Sequence, residues 1–376
     1  MNDLRRRLEQ IVERDRLRRD REDGRGEQSI SHPLPGGGSA LERGAAPESA
    51  YTVTERRIAI DDLGLEVVGR GAPDPPLLAH LGLRGPPPRR WDEVLFLDTE
   101  ATGLAGGTGT YVFLLGTAFL RDGELVLRQH LLHDLGAERA FVVALGAELR
   151  EFRACASYNG KSFDLPLMRA RFVITRSGDL TLDDSHLDLL HPARRLWRDR
   201  FGSATLRRLE DAVLDDARLD DLPGALIPER YFRYLRLADP ALIAPVIEHN
   251  ARDVLSLVRI ADRVARTVLA ARTGRAPDHP PAAYALARVF ERTREFDAAF
   301  ACYESAYYDG DNELRVRLAL AYARLLERRD ADDRAVRMLE TLLDLGLGSA
   351  RWRAQAESRV RRLARRRKWP RLAKAT

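Results

Sequence analysis

The chain has 376 residues, 44% of them hydrophobic, which is enough for one large or two to three ordinary domains with a packed core. Its net charge of +5 is unevenly placed: residues 351–376 carry eleven Lys or Arg against one Glu, and the stretch 29–350 is net acidic. Two isolated cysteines, Cys155 and Cys302, exclude a disulfide framework and a cysteine zinc site, and the longest apolar run, residues 111–120, is too short to span a bilayer.

In chain order, residues 1–50 read as a charged, unstructured N-terminus and a Gly/Pro/Ser-rich linker. No apolar stretch follows Arg5–Arg7, so no signal peptide is expected, and the cysteine usage points to a reducing cytosol. Residues 51–90 read as a leader: a hairpin over 52–68 turning at Asp61-Asp62-Leu63-Gly64, then a proline-rich connector. A main domain is expected over 91–273. Its strands are predicted at 94–97, 111–120, 124–132 and 154–158, with Arg121-Asp122-Gly123 as a hairpin turn. Helices are predicted at 137–152, 162–173, 187–198, 204–213 and 241–271. An antiparallel β unit followed by alternating strands and helices gives an α/β domain on a mixed sheet.

The remainder reads as all-helical. Over 280–347, Leu286, Ala287, Phe290, Ala299, Tyr303 and Ala306 fall on the small and aromatic positions of a tetratricopeptide-type helix pair, and Tyr322, Ala323, Leu326, Ala335 and Leu339 repeat the register 36 residues on. A plain antiparallel bundle stays open. Residues 348–376 form a basic helix and tail, suited either to a phosphate backbone or to plain solvation.

The chemistry centres on Val94-Leu95-Phe96-Leu97-Asp98-Thr99-Glu100, a buried strand ending in two carboxylates. Residues i and i+2 of a strand share a face, so Asp98 and Glu100 project together. Unpaired carboxylates beside a core are costly, and a divalent cation is their natural partner. Asp164 follows Tyr158-Asn159-Gly160-Lys161-Ser162-Phe163, where a strand end meets a helix start, so favouring the helix dipole is an alternative role. His249 and Asp253 are four apart on a late helix and share its face, with an ion pair to Arg252 or Arg259 as the plainer role for Asp253. Gly160-Lys161-Ser162 imitates a phosphate-binding loop, but position 155 is Cys where that motif needs Gly. His130 and His133 are expected on opposite strand faces and are not zinc partners.

The ordered set of Asp-x-Glu, Asn-x-x-x-Phe-Asp and His-x-x-x-Asp resembles the DEDD superfamily of 3′–5′ exonucleases. The strings 97–104, 157–164, 186–191 (His-Leu-Asp-Leu-Leu-His), 202–210 and 249–257 resemble more narrowly the YprB-type ribonuclease H-like family of bacterial exonucleases. The resemblance covers roughly 91–270 and implies a ribonuclease H-like mixed sheet flanked by helices, followed by an all-α helical-repeat region. It further implies a two-metal phosphodiesterase in which Asp98, Glu100, Asp164 and Asp253 hold two Mg²⁺ or Mn²⁺ ions and His249 orients or deprotonates the attacking water. Asn159, Lys161, Arg194 and Arg195 are the candidate substrate contacts. Asn159 also suits the strand–helix turn, and the arginines suit surface ion pairs. One departure stands out: the superfamily's histidine subgroup places its His five residues before the last Asp, and here the gap is four, a turn of about 100° on a helix. The expected partner is the 3′ end of single-stranded DNA or RNA, with a protein partner on the repeats. Two other readings stay open. One is a non-catalytic nucleic-acid-binding adapter, and the other is a hydrolase of small phosphoesters.

Overall fold

A computed structural model describes residues 49–70, 75–80, 82–103, 109–180, 185–218 and 222–368. The charged segment and linker over 1–48, part of the proline cluster, the glycine-rich turn at 104–108 and the last eight residues of the basic tail lie outside the described residues.

Seven strands form one mixed sheet: β1 (Tyr51–Ala59), β2 (Leu83–Arg84), β3 (Val94–Ala101), β4 (Val112–Arg121), β5 (Glu124–Leu132), β6 (Ala154–Ser157) and β7 (His186–Asp188), in the order β1-β5-β4-β3-β6-β7-β2. The β1, β5, β4 and β3 ladders are antiparallel, β3–β6 and β6–β7 are parallel, and β2 closes the far edge antiparallel to β7. The β4–β5 turn forms as expected, with both Asp122 and Gly123 at positive φ, the conformation that a two-residue turn matching strand twist requires.

Two expectations are corrected here. No hairpin forms over 52–68, because β1 pairs along its whole length with β5 and residues 61–63 are a single 3-10 turn. The stretch read as the first arm of a hairpin is an edge strand of the main sheet. The helix expected from 187 starts later: His186–Asp188 is a strand, and the helix spans 190–201.

Twelve α-helices accompany the sheet among the described residues. In the first part of the chain they are α1 (Pro75–His80), α2 (Glu138–Leu149), α3 (Asp164–Thr175), α4 (Leu190–Phe201), α5 (Leu206–Leu214), α6 (Ile227–Leu237) and α7 (Pro240–Arg272). The C-terminal region is α8 (Pro280–Arg292), α9 (Phe296–Asp309), α10 (Asn312–Arg328), α11 (Asp332–Asp344) and α12 (Ala350–Lys368).

The side-chain period of two in β3 divides the core. Leu95 and Leu97 face a cluster with Phe141, Leu145, Met168, Phe172 and Tyr231 from α2, α3 and α6. Val94 and Phe96 face the other way, onto Val254, Val258, Ala261 and Val264 of α7. That second cluster runs on through α8–α12, so the C-terminal helices share one apolar core with the sheet's α7 face. The terminal basic helix α12 takes part in it through the fully buried Ala356 and Leu363.

Helix α7 is 33 residues long and is tied down at two places. Towards its C-terminal half, the fully buried Asp262 carboxylate accepts the backbone N–H groups of Glu66, Val67 and Val68 at 3.0, 2.7 and 2.8 Å. Nearer its start, Asn250 lies over β4 at Gly116, where a Cβ would stand 2.1 Å from the Asn250 Oδ1. Helix and sheet approach this closely only because position 116 has no side chain. Gly116→Ala is therefore expected to destabilise the protein by about 1–3 kcal/mol, the usual cost of overpacking. A lowered midpoint in urea unfolding, relative to a control Ala at Gly109 (no atom of the described residues stands within 4 Å of its Cβ position), checks it.

Candidate active site

The carboxyl end of β3 carries Asp98 and Glu100 on the face that meets α7. Asp98 opposes Gly116 of β4, and Gly116 opposes Gln129 of β5, so the three form a row across the strands. Asn250 fills the gap above the glycine. Its Nδ2 donates to the Asp98 backbone oxygen at 3.2 Å and to the Asp98 Oδ2 at 3.0 Å, while its Oδ1 accepts from the Gln129 Nε2 at 2.9 Å. The amide is fully buried and uses both ends, which fixes its orientation.

Asp164 reaches the same place from the start of α3. Its Oδ1 accepts from the Thr99 Oγ1 at 2.6 Å and from the Thr99 backbone N–H at 3.2 Å, so the buried carboxylate is attached to β3 between Asp98 and Glu100. The turn delivering it depends on Asn159, at φ 66°, whose N–H donates to the Asp188 Oδ1 at 2.9 Å. It depends also on Gly160, where a Cβ would stand 2.2 Å from the Ser157 Oγ and 3.0 Å from the Asp164 Oδ2. Asn159 is thus the turn residue of this strand–helix junction. Burial holds the Asp164 carboxyl above its ordinary value, against the two bonds from Thr99 that favour its charge.

From α7, Asp253 and His249 complete the group. The His249 Nε2 lies 3.7 Å from the Asp253 Oδ2 and 4.0 Å from the Glu100 Oε1, so the four-residue spacing leaves the imidazole between two of the carboxylates. Neither expected arginine pairs with Asp253. Arg252 turns to Glu248, one turn earlier on the helix, and Arg259 to Asp216, just beyond α5. The cation that reaches Asp253 is Arg218, from the segment after α5, which also donates to Glu210.

These side chains come from β3, α3 and α7 and stand close enough to raise one another's charge cost. Burial first, then Asp253, Asp164 and Glu100, push the Asp98 carboxyl well above the usual carboxylate range, and the Asn250 amide offsets this only in part. The donor set is all carboxylate oxygen with one imidazole beside it, which is the chemistry that suits a hard divalent cation such as Mg²⁺ or Mn²⁺. Among the described residues, as the side chains stand, no three such groups converge tightly enough to grip an ion.

The remaining sequence candidates divide. Lys161 is exposed beside the Asp164 turn, and Arg194 is exposed on α4. Arg195 is half-buried instead and donates from Nη1 to the His80 carbonyl at 3.2 Å, and burial with Arg292 nearby lowers it to about 10. His130 and His133 take separate partners, Glu148 for the first and Thr52 with Tyr234 for the second. Sequence reasoning passed over Thr99, Asn250, Asp188, Glu210 and Arg218 as site residues. Thr99, Asn250 and Asp188 lie inside strings singled out for their neighbours, while Arg218 follows Asp215-Asp216-Ala217 with no periodic signal to single it out.

The repulsion at Asp98 has a measurable consequence. In the presence of chelator at pH 7, Asp98→Asn is expected to raise the melting temperature by several degrees, because the neutral amide removes a carboxyl whose folded-state proton affinity is raised. An acid with a raised folded pKa lowers stability at pH above its unfolded value, and that cost vanishes as the pH falls to the ordinary carboxylate range. The gap between variant and wild type should therefore close on acidification towards about pH 4, which thermal melts across a pH series will show.

A family model described as RNase_H superfamily (RNase_H_2) matches residues 95–265, which include all of β3 beyond its first residue and α7 as far as Ala265. An uncharacterized protein YprB of Bacillus subtilis (strain 168) is 35% identical over 236 residues, which is 61% of this chain; the chain spans 56% of that protein. A family B DNA polymerase from the hyperthermophilic archaeon Pyrobaculum calidifontis is similar at 20% identity over 60% of this chain and 30% of that one, with a TM-score of 0.35. Residues 95–265, the acidic cluster included, are thus similar to the RNase H superfamily model.

Proposed function

We propose that the protein is a metal-dependent 3′–5′ exonuclease acting on single-stranded DNA or RNA. The observation that carries this reading is the convergence of Asp98, Glu100, Asp164 and Asp253 from three separate elements onto one end of β3, at a stated electrostatic cost to Asp98. Active sites tolerate such a cost, and packing alone gives no reason for it.

Two Mg²⁺ or Mn²⁺ ions held by those four carboxylates would supply Lewis acidity to the phosphodiester and a water acidic enough to attack it near neutral pH. The protein's own groups have distinct tasks in this reading. Asn250 and Thr99 keep Asp98 and Asp164 aimed, each through hydrogen bonds to a carboxylate oxygen. His249, between Glu100 and Asp253, is placed to accept a proton from the attacking water. Lys161 and Arg194 are exposed cations available to the nucleic-acid backbone, whereas Arg195 is committed inward. The helices over 280–347 are read as tetratricopeptide-like and suited to a protein partner. Among the described residues no helix is long and apolar enough to cross a membrane. The two isolated cysteines suit a reducing compartment, and we place the activity in the cytoplasm on that ground.

A second reading has one observation in its favour. Arg218 engages Asp253, which suits a nucleic-acid-binding adapter that uses the same fold without cleavage.

Incubation of 5′-labelled single-stranded DNA and RNA with Mg²⁺ or Mn²⁺ separates the two. A ladder shortening from the 3′ end, absent with chelator and absent for folded Asp98→Ala, is the expected result. Intact substrate bound to the wild-type protein would transfer the case to the adapter.

The basic C-terminus supplies a further test. Deleting α12 would expose the core that Ala356 and Leu363 fill, so charge is better removed by substitution. Replacing the exposed Arg351, Arg361 and Arg365 by Gln is expected to weaken nucleic-acid binding and to flatten its dependence on salt, by up to about one unit of slope per lost phosphate contact. An unchanged slope would show that these side chains do not touch phosphate.

A further inference from the structure

Arg218 is the most consequential side chain near the site that the proposed chemistry leaves unused. It lies just beyond α5, yet its side chain is 5% exposed. One terminal nitrogen, Nη2, donates both to the Glu210 Oε1 and to the Asp253 Oδ1. Glu210, on α5, is 2% exposed, and its second oxygen, Oε2, is buried without a hydrogen-bond partner among the described residues. Burial works against the charge of Arg218, but Asp253 and Glu210 outweigh it and hold the guanidinium above its ordinary value.

The two carboxylates differ in kind. Glu210 comes from α5, shares the Arg218 Nη2 with Asp253, and is the more enclosed of the two, so its charge depends on Arg218. Asp253 belongs to the cluster, contributes to the repulsion on Asp98, and lies beside His249. A guanidinium and a divalent cation repel each other at contact distances, so full engagement of Asp253 by one opposes engagement by the other. Arg218 can release Asp253 without leaving a buried charge uncompensated, because Glu210 remains as its partner. Breaking a buried pair completely would be far more costly.

Resting on the metal-dependent reading above, we propose that Arg218 is a competing counter-ion of the site. It holds Asp253 while anchored on Glu210, and a divalent ion gains Asp253 only as Arg218 withdraws onto Glu210. Arg218 thereby sets the site's affinity for its ions and acts as a positioning residue for Asp253.

Isothermal titration of the full-length chain with Mn²⁺ alone, without nucleic acid, tests this. Arg218→Gln is expected to bind Mn²⁺ about tenfold more tightly than wild type, as removal of one opposing charge from a partly buried site implies. Arg218→Lys, which keeps the charge, is expected to bind as the wild type does. Arg218→Gln leaves Glu210 as a buried carboxylate without its cation, so the double variant Glu210→Gln/Arg218→Gln carries the same expectation if the single variant does not fold. Unchanged or weaker binding by the folded double variant, with wild-type binding that Asp98→Ala abolishes, would overturn the role of Arg218 and leave the carboxylate site standing. Failure of the wild type to bind Mn²⁺ would overturn the metal-dependent reading and this proposal with it.

Discussion

The contact on which the site depends is the seating of the Asn250 amide over Gly116. It joins α7 to β3 and β5 by bonds from a single side chain, across the glycine of β4: one end reaches Asp98 and the other Gln129. Without a Cβ at 116, helix and sheet come close enough for the amide to reach both, and Val254 packs in the same space. Asp98 is therefore aimed by α7, and α7 is registered by the strand row containing Asp98. His249 and Asp253 take their places from the same contact, one residue before Asn250 and three after it.

Around that contact the molecule manages an excess of negative charge. Thr99 gives Asp164 two hydrogen bonds and Arg218 gives Asp253 an ion pair, while Asp98 receives the Asn250 amide and is buried among the charges of Asp253, Asp164 and Glu100. Elsewhere, buried acids have arrangements that satisfy them locally: Asp262 accepts three backbone N–H groups, and Glu138 meets Arg171. The contrast separates the acidic cluster from structural acids. A structural acid is placed where its charge is compensated, and Asp98 is placed where it is not.

Much of this was legible from residue order. The apolar run before Asp98, the Asp-Gly turn at 122–123 and the long periodic helix ending near 272 announced the central strand, the hairpin and α7, because each rests on local pattern or turn chemistry. The Asp98/Glu100 pair followed from the strand period of two. What escaped was non-local. Alternation at 51–59 says that a strand exists but not which strand it joins, and the partner lies more than sixty residues on. Position 116 gives no local sign that a helix from residue 250 will rest on it. Arg218 is one arginine among many, and its selection over Arg252 and Arg259 depends on which way α7 faces. The three-residue strand β7 is too short for any periodicity to show.

Helix α7 extends about 50 Å at the standard rise and carries two marks that must both be met, the amide at 250 and the carboxylate at 262 that receives the 66–68 backbone. An inserted or deleted residue between them turns one mark by about 100° relative to the other, so either the acidic cluster or the docking of the N-terminal segment is lost. A change of length is consequently expected to be tolerated in connections such as 273–279 and not in the middle of α7. In that sense the helix acts as a fixed measure, against which the rest of the chain is free to drift.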